Sequence, residues 1–321
     1  MGHNVEVIKV APHLGAEIRG VDLSQALSDE EFEAVHEAWV ENEVVVFHDQ
    51  KINADQQIAF GKRFGELSVH PFSPNEEDTP ELIIFDNKKD NPPYGTDRWH
   101  SDETFRAEPP LGTMLSAKIV PAYGGNTIFA SMTAAYDALS DKMQHFLDDL
   151  AAVHDMVLFR KLFGDGEEGL ATRRKYEELY PNPVHPVVRI HPITGKKALF
   201  VNPQFTLRIK NMREDESRTL LDWLFRQAEI PALQYRHQWR VDSFVFWDNR
   251  SAQHYAPHDY YPQRRYMERI TIQGDRPFGP VGPTYFLKDN PEITSAEAEG
   301  QDEFGGHRVA RPIEREKEGA A

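Results

Sequence analysis

Residues 98–105 read Arg98-Trp99-His100-Ser101-Asp102-Glu103-Thr104-Phe105. On an extended strand, residues two positions apart point to the same face, so His100 and Asp102 can both reach one metal ion. Two histidines and one carboxylate on one face of an octahedral ion leave the opposite face open to other ligands. The pair therefore predicts two thirds of an open metal site, provided that the fold brings a second histidine to it.

The triplet alone does not decide between a metal site and ordinary structure. The chain has 14 histidines and 52 acidic residues in 321 positions, so about two His-x-acid triplets are expected by chance, and this is the only one. His100 could equally cap a turn, and Asp102 could cap a helix or pair with a cation at the surface.

Composition excludes several functional classes. The chain has 321 residues, of which 40% are hydrophobic, enough for one large or two ordinary globular domains. A net charge of -16 argues against nucleic acid and anionic membranes as partners, although buried arginines could still bind a small anion. The chain lacks cysteine, which excludes disulfides, thiolate catalysis and cysteine metal sites. Any metal site must use histidine and carboxylate.

The N-terminal residues suggest no targeting signal. No basic segment followed by an apolar run appears there, and no stretch approaches the roughly 18 apolar residues of a membrane helix. We expect a cytoplasmic protein that does not bind membranes.

Hydrophobic periodicity predicts the secondary structure. The predicted strands are Val5–Val10, Val44–Phe47, Leu82–Phe85, Gly112–Val120, Thr127–Ser131, Val187–Ile190, Lys197–Val201, Gln238–Val241, Phe244–Trp247 and Met267–Gln273. The predicted helices begin after Ser28 and Asn53, cover a helical pair from Thr133 to Leu150, and run from Glu214 to Ala228.

These elements predict a mainly β fold with flanking helices, an all-β barrel or jelly roll. The glycine turn at Gly124-Gly125 is typical of a hairpin between the strands on either side. The polar segment 164–182 predicts a mobile surface loop that could act as a lid. No linker divides the chain, so we expect one domain over residues 1–285 and a polar, flexible tail over 286–321.

The second histidine has a candidate in His254, within Trp247-Asp248-Asn249-Arg250-Ser251-Ala252-Gln253-His254-Tyr255. The polar turn in this segment could return His254 towards the early histidine in a closed barrel. Further on, Arg265 and Arg269 alternate onto one face of the last strand and could bind two anions. Taken singly, His254 could be a core residue and the arginines a solvated edge.

Together these motifs resemble the taurine dioxygenase (TauD/TfdA) family of Fe(II)/2-oxoglutarate-dependent dioxygenases. The resemblance runs from about Val5 to Pro280 and rests on Trp-His-x-Asp-x-Thr-Phe, Gly-Gly-x-Thr and Trp-Asp-Asn-Arg-x-x-x-His, followed by the paired arginines. It implies a double-stranded β-helix core. The implied catalytic iron ligands are His100, Asp102 and His254, and the implied 2-oxoglutarate contacts are Thr127 and Arg265.

The resemblance also implies a subsite for a substrate anion. Arg269 is one implied contact, and His70 in Gly65-Glu66-Leu67-Ser68-Val69-His70-Pro71 is the other. Phe205 and Phe163 match aromatic walls of the family's substrate pocket.

One departure from the family concerns the substrate's amine. The positions just before Trp99 that hold an amine with polar residues in the taurine enzymes are Gly95 and Thr96 here. An ammonium group would lose its partner, so we expect a non-amine anion such as an alkylsulfonate or alkylsulfate. Tyr94 could cover an alkyl chain or stack on a ring, and an aryloxyalkanoate is the alternative substrate.

The implied reaction hydroxylates the carbon next to the substrate's heteroatom. The product collapses to an aldehyde and sulfite or sulfate, while 2-oxoglutarate and O2 yield succinate and CO2. The family commonly forms dimers or tetramers, so a homo-oligomer is expected. Two other classes stay open: a zinc hydrolase using the same triad, and a non-catalytic barrel that binds an anion.

Overall fold

The computed structural model describes residues 5–71, 78–156, 164 and 166–281. Its strands are β1 (Glu6–Lys9), β2 (Ala16–Arg19), β3 (Val44–Phe47), β4 (Ile83–Asn87), β5 (Gly112–Ile119), β6 (Thr127–Ser131), β7 (Ala151–His154), β8 (Val184–Pro186), β9 (Val188–Ile190), β10 (Lys197–Leu199), β11 (Thr206–Ile209), β12 (Gln234–His237), β13 (Phe244–Asp248), β14 (Ala252–Tyr255) and β15 (Arg265–Ile272). Its helices are α1 (Asp29–Asn42), α2 (Ala54–Lys62), α3 (Met132–Asp137), α4 (Asp141–Leu147), α5 (Glu167–Leu179) and α6 (Glu214–Phe225), with 3-10 turns at Arg226–Glu229 and Pro231–Leu233.

The strands form one large sheet and smaller sheets. The large sheet has seven strands in the order β1-β2-β3-β13-β5-β15-β4, and only the β2–β3 pair is parallel. The small sheets have the orders β12-β6-β14, β11-β7-β8 and β10-β9. The expected mainly β jelly roll with flanking helices is confirmed.

The large sheet lies between two apolar layers, and alternate side chains of its strands point into one layer or the other. On β3, Val44 and Val46 pack into the core between the sheets, whereas Val45 and Phe47 pack under the N-terminal helices. A strand with both faces buried reads as a continuous apolar run, which explains the Val-Val-Val-Phe sequence. On the helical side, Trp39 of α1 stacks on Phe246 of β13 with ring centroids 4.3 Å apart.

The inner layer joins the large sheet to the sheet β12-β6-β14. Phe129 of β6 and Ala252 of β14 pack against Leu115, Trp247 and Met267 of the large sheet. A third layer covers the outside of the small sheets with residues from α3 and α6, among others Met132, Ala135, Leu221 and Leu224. The strands β6 and β14 are therefore packed on both sides.

The two predicted helix starts are confirmed by their caps. Ser28 accepts the N–H of Glu31 while Glu31 accepts the N–H of Ser28, and Asn53 and Gln56 form the same reciprocal pair. The helical pair and the helix from Glu214 are also present.

The predicted glycine hairpin is wrong. The strand β5 pairs with β13 and β15 in the large sheet, whereas β6 pairs with β12 and β14 in a small sheet. Both Gly124 and Gly125 have positive φ, at 74° and 65°, and they turn the chain from one sheet to the other. Sequence signals a turn at this position, but the partner of each strand depends on the whole sheet.

Two other local predictions are wrong. The supposed loop 164–182 contains α5, whose Tyr176 packs on the cluster around Phe105. The strand predicted at Gln238–Val241 lies earlier, at β12, because the chain turns back at Arg240, where the Ser243 N–H binds the Arg240 carbonyl. The predicted tail, 286–321, lies outside the described residues. Within the described ranges, no helix has the length and apolarity needed to span a membrane.

Replacing Phe246 with alanine tests the packing of the N-terminal layer on the large sheet. Phe246 is fully buried and contacts both Trp39 and Phe64. We expect F246A to lower the free energy of unfolding by about 3–5 kcal/mol, because it leaves a cavity between two layers. Urea denaturation measures the change, with V241A at an exposed position as the control. A loss below about 1 kcal/mol would contradict this packing.

Candidate active site

His100 and His254 meet through their backbones. They form an isolated antiparallel bridge in which each N–H donates to the other's carbonyl oxygen, at 3.0 and 2.8 Å. Their ring centroids lie 4.0 Å apart. Asp102 completes the group, since its Oδ1 lies 3.9 Å from Nε2 of either histidine. One ligand atom from each residue lies within 4.8 Å of the others, which is close enough to hold one metal ion.

Both histidines are suited to donate a lone pair. Nδ1 of His100 donates to the carbonyl oxygen of Arg98 at 2.7 Å, which leaves Nε2 as the unprotonated nitrogen. Burial lowers the pKa of His100 and lowers that of His254 well below the ordinary value. Both rings are therefore neutral at physiological pH, the state in which imidazole binds a metal.

Asp102 is held as a carboxylate. Burial alone raises the pKa of Asp102, but the nearby Arg269, the two histidines and the Thr113 hydroxyl bring it below its ordinary value. The Thr113 hydroxyl donates to Oδ2 at 2.6 Å, and the Asp102 N–H donates to Asn249 Oδ1 at 3.2 Å. Two neutral imidazoles and one ionised carboxylate fit a divalent ion such as Fe(II), so the residues present suit this metal.

The turn between β13 and β14 supports the triad. Asp248 accepts two hydrogen bonds from the Arg250 side chain, at 2.8 and 2.6 Å, and lies 3.0 Å from His191 Nε2. This buried ion pair fixes the turn that carries Asn249, whose amide also donates to Thr113 at 3.0 Å. Sequence reasoning assigned no role to Asn249 or Thr113, although the Asp-Asn-Arg signal of the turn was visible.

A cavity beside the triad contains a buried cation. Arg265 and Thr127 line it together with His100, Asp102 and His254. The Arg265 side chain makes no ion pair with any described residue, and burial lowers its pKa to about 10. Its Nε donates to the carbonyl oxygen of Gly125 at 3.2 Å, and its guanidinium lies over the rings of Trp239 and Tyr260. The Trp239 N–H donates to Thr127 Oγ1 at 3.0 Å.

The second arginine of the last strand lies nearer the triad. Arg269 Nη2 is 3.2 Å from Asp102 Oδ1 and 3.3 Å from Glu103 Oε1. The same Glu103 oxygen lies 3.8 Å from Nε2 of His70, which is also buried. Burial lowers the pKa of His70 to about 4, with Arg269 and Arg106 acting in the same direction and Glu103 opposing them.

Comparison with known proteins identifies the family. The family model described as "Taurine catabolism dioxygenase TauD, TfdA family" matches residues 6–271. The chain is 35% identical over 286 residues to an alpha-ketoglutarate-dependent sulfate ester dioxygenase of Pseudomonas putida, covering 87% of this chain and 92% of the relative. It is 33% identical over 301 residues to an alpha-ketoglutarate-dependent sulfonate dioxygenase of Saccharomyces cerevisiae, covering 89% and 70%.

The chain belongs to the TauD/TfdA family.

A solved structure agrees with this assignment. A taurine dioxygenase from Burkholderia xenovorans superposes with a TM-score of 0.75 at 31% identity, covering 87% of this chain and 92% of the other. An (S)-phenoxypropionate/alpha-ketoglutarate-dioxygenase of Delftia acidovorans is 31% identical over 280 residues, covering 81% and 92%. This TauD/TfdA member is therefore a dioxygenase that uses Fe(II), 2-oxoglutarate and O2, as the resemblance of its motifs implied.

The remaining predicted site residues of this TauD/TfdA enzyme lie at different distances from the triad. The Phe205 ring is buried, with its centroid 6.4 Å from that of His100. Tyr94 is half exposed and is not among the residues lining the cavity. Phe163 lies outside the described residues. Glu103 was given no role from sequence, although its place beside Asp102 would have drawn attention to it.

A buried glutamate of this dioxygenase binds the end of strand β6 and the start of α3. Glu43 follows α1 with φ of 63°, and its carboxyl accepts hydrogen bonds from Ser131 and Thr133. Its backbone carbonyl accepts the N–H of Asp248 at 2.8 Å. Burial raises the pKa of Glu43 to about 8, despite the two hydroxyl donors.

Glu43 should make the stability of this dioxygenase fall as pH rises. The pKa of Glu43 in the folded protein lies above the ordinary value of a glutamate. The stabilisation from its protonated carboxyl is therefore complete at about pH 4 and is lost as pH rises through about 8. We expect E43Q to lose less free energy of unfolding than the wild type between pH 5.5 and pH 8.5. Urea denaturation at both pH values measures it, with E41Q, at an exposed position two residues earlier, as the control. An equal loss in E43Q and wild type would contradict the assignment.

Proposed function

We propose that this enzyme oxidises a small organic anion of the alkylsulfonate or alkylsulfate type. The observation that carries the proposal is a cavity lined by both the His-Asp-His triad and Arg265, which is buried and makes no ion pair with any residue that the structure describes. A buried guanidinium without an acidic partner is costly unless an anion joins it. In this family the natural anion is the 2-oxoglutarate carboxylate.

The triad supplies the metal ligands in this proposal. His100, Asp102 and His254 would hold Fe(II), which with 2-oxoglutarate and O2 supplies the oxidant. Arg265 binds the far carboxylate of 2-oxoglutarate through its planar fork, and Thr127 adds a hydroxyl donor. The Thr113 hydroxyl donates to the Asp102 carboxylate and helps to keep it ionised, and Asn249 holds the backbone of Asp102 in place by accepting its N–H.

Arg269 and His70 form the proposed subsite for the substrate anion. His70 is buried and Arg269 is largely buried beside Asp102, both against the same Glu103 carboxylate, and a sulfonate or sulfate fits an arginine fork. The named activities of the Pseudomonas and Saccharomyces relatives support these two anions. Hydroxylation of the carbon bonded to the sulfonate sulfur or to the sulfate ester oxygen yields a product that collapses to an aldehyde, with cleavage of the C–S or C–O bond and release of sulfite or sulfate; succinate and CO2 are formed alongside.

The segment before Trp99 favours a substrate without an amine. The Thr96 hydroxyl lies 2.9 Å from His258 Nε2 and 3.4 Å from the Ala256 carbonyl oxygen, so it already has partners. We infer that Phe205, Phe163 and Tyr94 provide apolar contacts for an alkyl chain. An aryloxyalkanoate is the alternative, supported by the Delftia relative. A zinc hydrolase would leave Thr127 and Arg265 without a role, and a non-catalytic anion-binding barrel would leave the triad without one.

Four further expectations belong to this proposal. The catalytic domain is taken as residues 1–285, and the segment 286–321 as a tail. The enzyme is expected to act in the cytoplasm. It is also expected to form a dimer or tetramer and to bind no nucleic acid or membrane.

Substrate-dependent succinate release tests the proposed activity. We expect the Fe(II)-loaded enzyme to release succinate with at least one alkylsulfonate or alkylsulfate in a panel that also contains aryloxyalkanoates and taurine. H100A should reduce the release by at least about 100-fold, because it removes a metal ligand. Its control is H145A, in an exposed helix away from the triad. Release with aryloxyalkanoates alone would replace the proposed substrate class, and release with none would refute it.

The role of Arg265 has a matched control in the preceding residue. R265Q should weaken 2-oxoglutarate binding by about 10- to 100-fold, since charged hydrogen bonds contribute about 1.5–3 kcal/mol. R264Q should leave it unchanged, because Arg264 points away from the cavity and pairs with Asp86. Anaerobic titration of the visible band of the Fe(II)-2-oxoglutarate complex measures both. Equal affinities in R265Q and R264Q would contradict the assignment.

A further inference from the structure

Glu103 lies where the substrate's anion is expected to bind. Its carboxylate is 2% exposed and contacts both groups of the proposed subsite, with Oε1 3.3 Å from Arg269 Nη2 and 3.8 Å from His70 Nε2. A sulfonate oxygen bound by the same pair would have to lie close to this carboxylate. Two anions cannot share the position without strong repulsion in a buried site.

We propose that Glu103 is an internal occupant of the substrate's anion subsite and that the substrate exchanges with it. Together with Asp102, whose Oδ1 lies 3.2 Å from the same Arg269 nitrogen, the carboxylate neutralises Arg269 while no substrate is bound. The incoming sulfonate or sulfate takes over Arg269 and His70, and Glu103 shifts away. An anion enters the subsite only if it binds Arg269 and His70 tightly enough to displace Glu103. Glu103 thereby sets substrate specificity. This inference rests on the subsite assigned in the proposed function.

The backbone around Glu103 is fixed, so the exchange involves its side chain. Glu103 has φ of 51°, and its carbonyl oxygen accepts the N–H of Arg106 at 3.0 Å. His185 Nε2 lies 2.9 Å from the carbonyl oxygen of Thr104 and 3.0 Å from that of Arg106. Burial lowers the pKa of His185 to about 3, so this ring is neutral and donates one proton to the two oxygens.

Arg106 gives the displaced carboxylate a second partner. Its Nε lies 2.7 Å from Glu103 Oε2, in an ion pair that lacks hydrogen-bond alignment. Rotation of the carboxylate towards Arg106 would improve that alignment while Oε1 leaves Arg269. Arg106 also lines a neighbouring cavity with Ser68 and Tyr180, so its own side chain has space in which to follow the carboxylate. The carboxylate therefore keeps one ion pair throughout and is never buried alone.

The exchange predicts that removing the charge of Glu103 tightens anion binding. We expect E103Q to bind hexane-1-sulfonate about 10-fold more tightly than the wild type, because glutamine keeps the shape but does not repel the sulfonate. Anaerobic calorimetry on the enzyme loaded with Fe(II) and 2-oxoglutarate measures the dissociation constant. E108Q, the same change at an exposed position, is the control. The affinity for 2-oxoglutarate should stay unchanged in both variants.

A second variant separates charge from shape. E103M has similar length and no charge, and it should also tighten hexane-1-sulfonate binding. If E103Q and E103M bind the probe no better than the wild type, or if none of the three binds it, the exchange is wrong and Glu103 only positions Arg269. If both variants bind it more tightly but no sulfonate or sulfate stimulates succinate release, the exchange stands and the proposed substrate class fails.

Discussion

The pair of main-chain hydrogen bonds between His100 and His254 is the constraint on which the site depends. It joins the loop before Asp102 to the strand β14, which lies in a different sheet from the strand β13 that precedes it. Side-chain ligands held by such a bridge need little further adjustment, because the backbone has already set their separation. Folding of the chain already orders the three ligand side chains, so a metal ion binds to a preformed set of donors.

Local features of this fold were predictable from sequence, but which strands pair with each other was not. Ser28 and Asn53 signal their helices because a cap depends on residues three positions apart. The strands β5 and β6 are equally clear, yet the hairpin inferred between them is wrong because strand partners are chosen by burial on both faces of a sheet. The helix α5 was missed because its sequence is polar and only a few side chains contact the core.

The candidate site shows the same division. The triad and paired arginines were found because their spacing follows a family pattern in which each member has a chemical role. Asn249, Thr113 and Glu103 received no role from sequence, because a position in or near a motif does not show which groups a side chain contacts in the fold. Their contacts come from the turn between β13 and β14, from β5 and from the loop after Asp102. Supporting residues thus require three-dimensional structure, whereas ligands can be read from spacing.

The turn that supports Asp102 also connects the site to the outermost layer of the protein. Arg250, which pairs with Asp248, lies with its guanidinium 5.1 Å from the Trp39 ring in α1, and the Asp248 N–H binds the carbonyl of Glu43 at the end of that helix. The N-terminal helix contributes no side chain to the cavity. Its two contacts with the turn nevertheless help to hold the carboxylate ligand in place. Loosening of the first helix would therefore weaken the support of Asp102, even though no side chain of that helix lines the cavity.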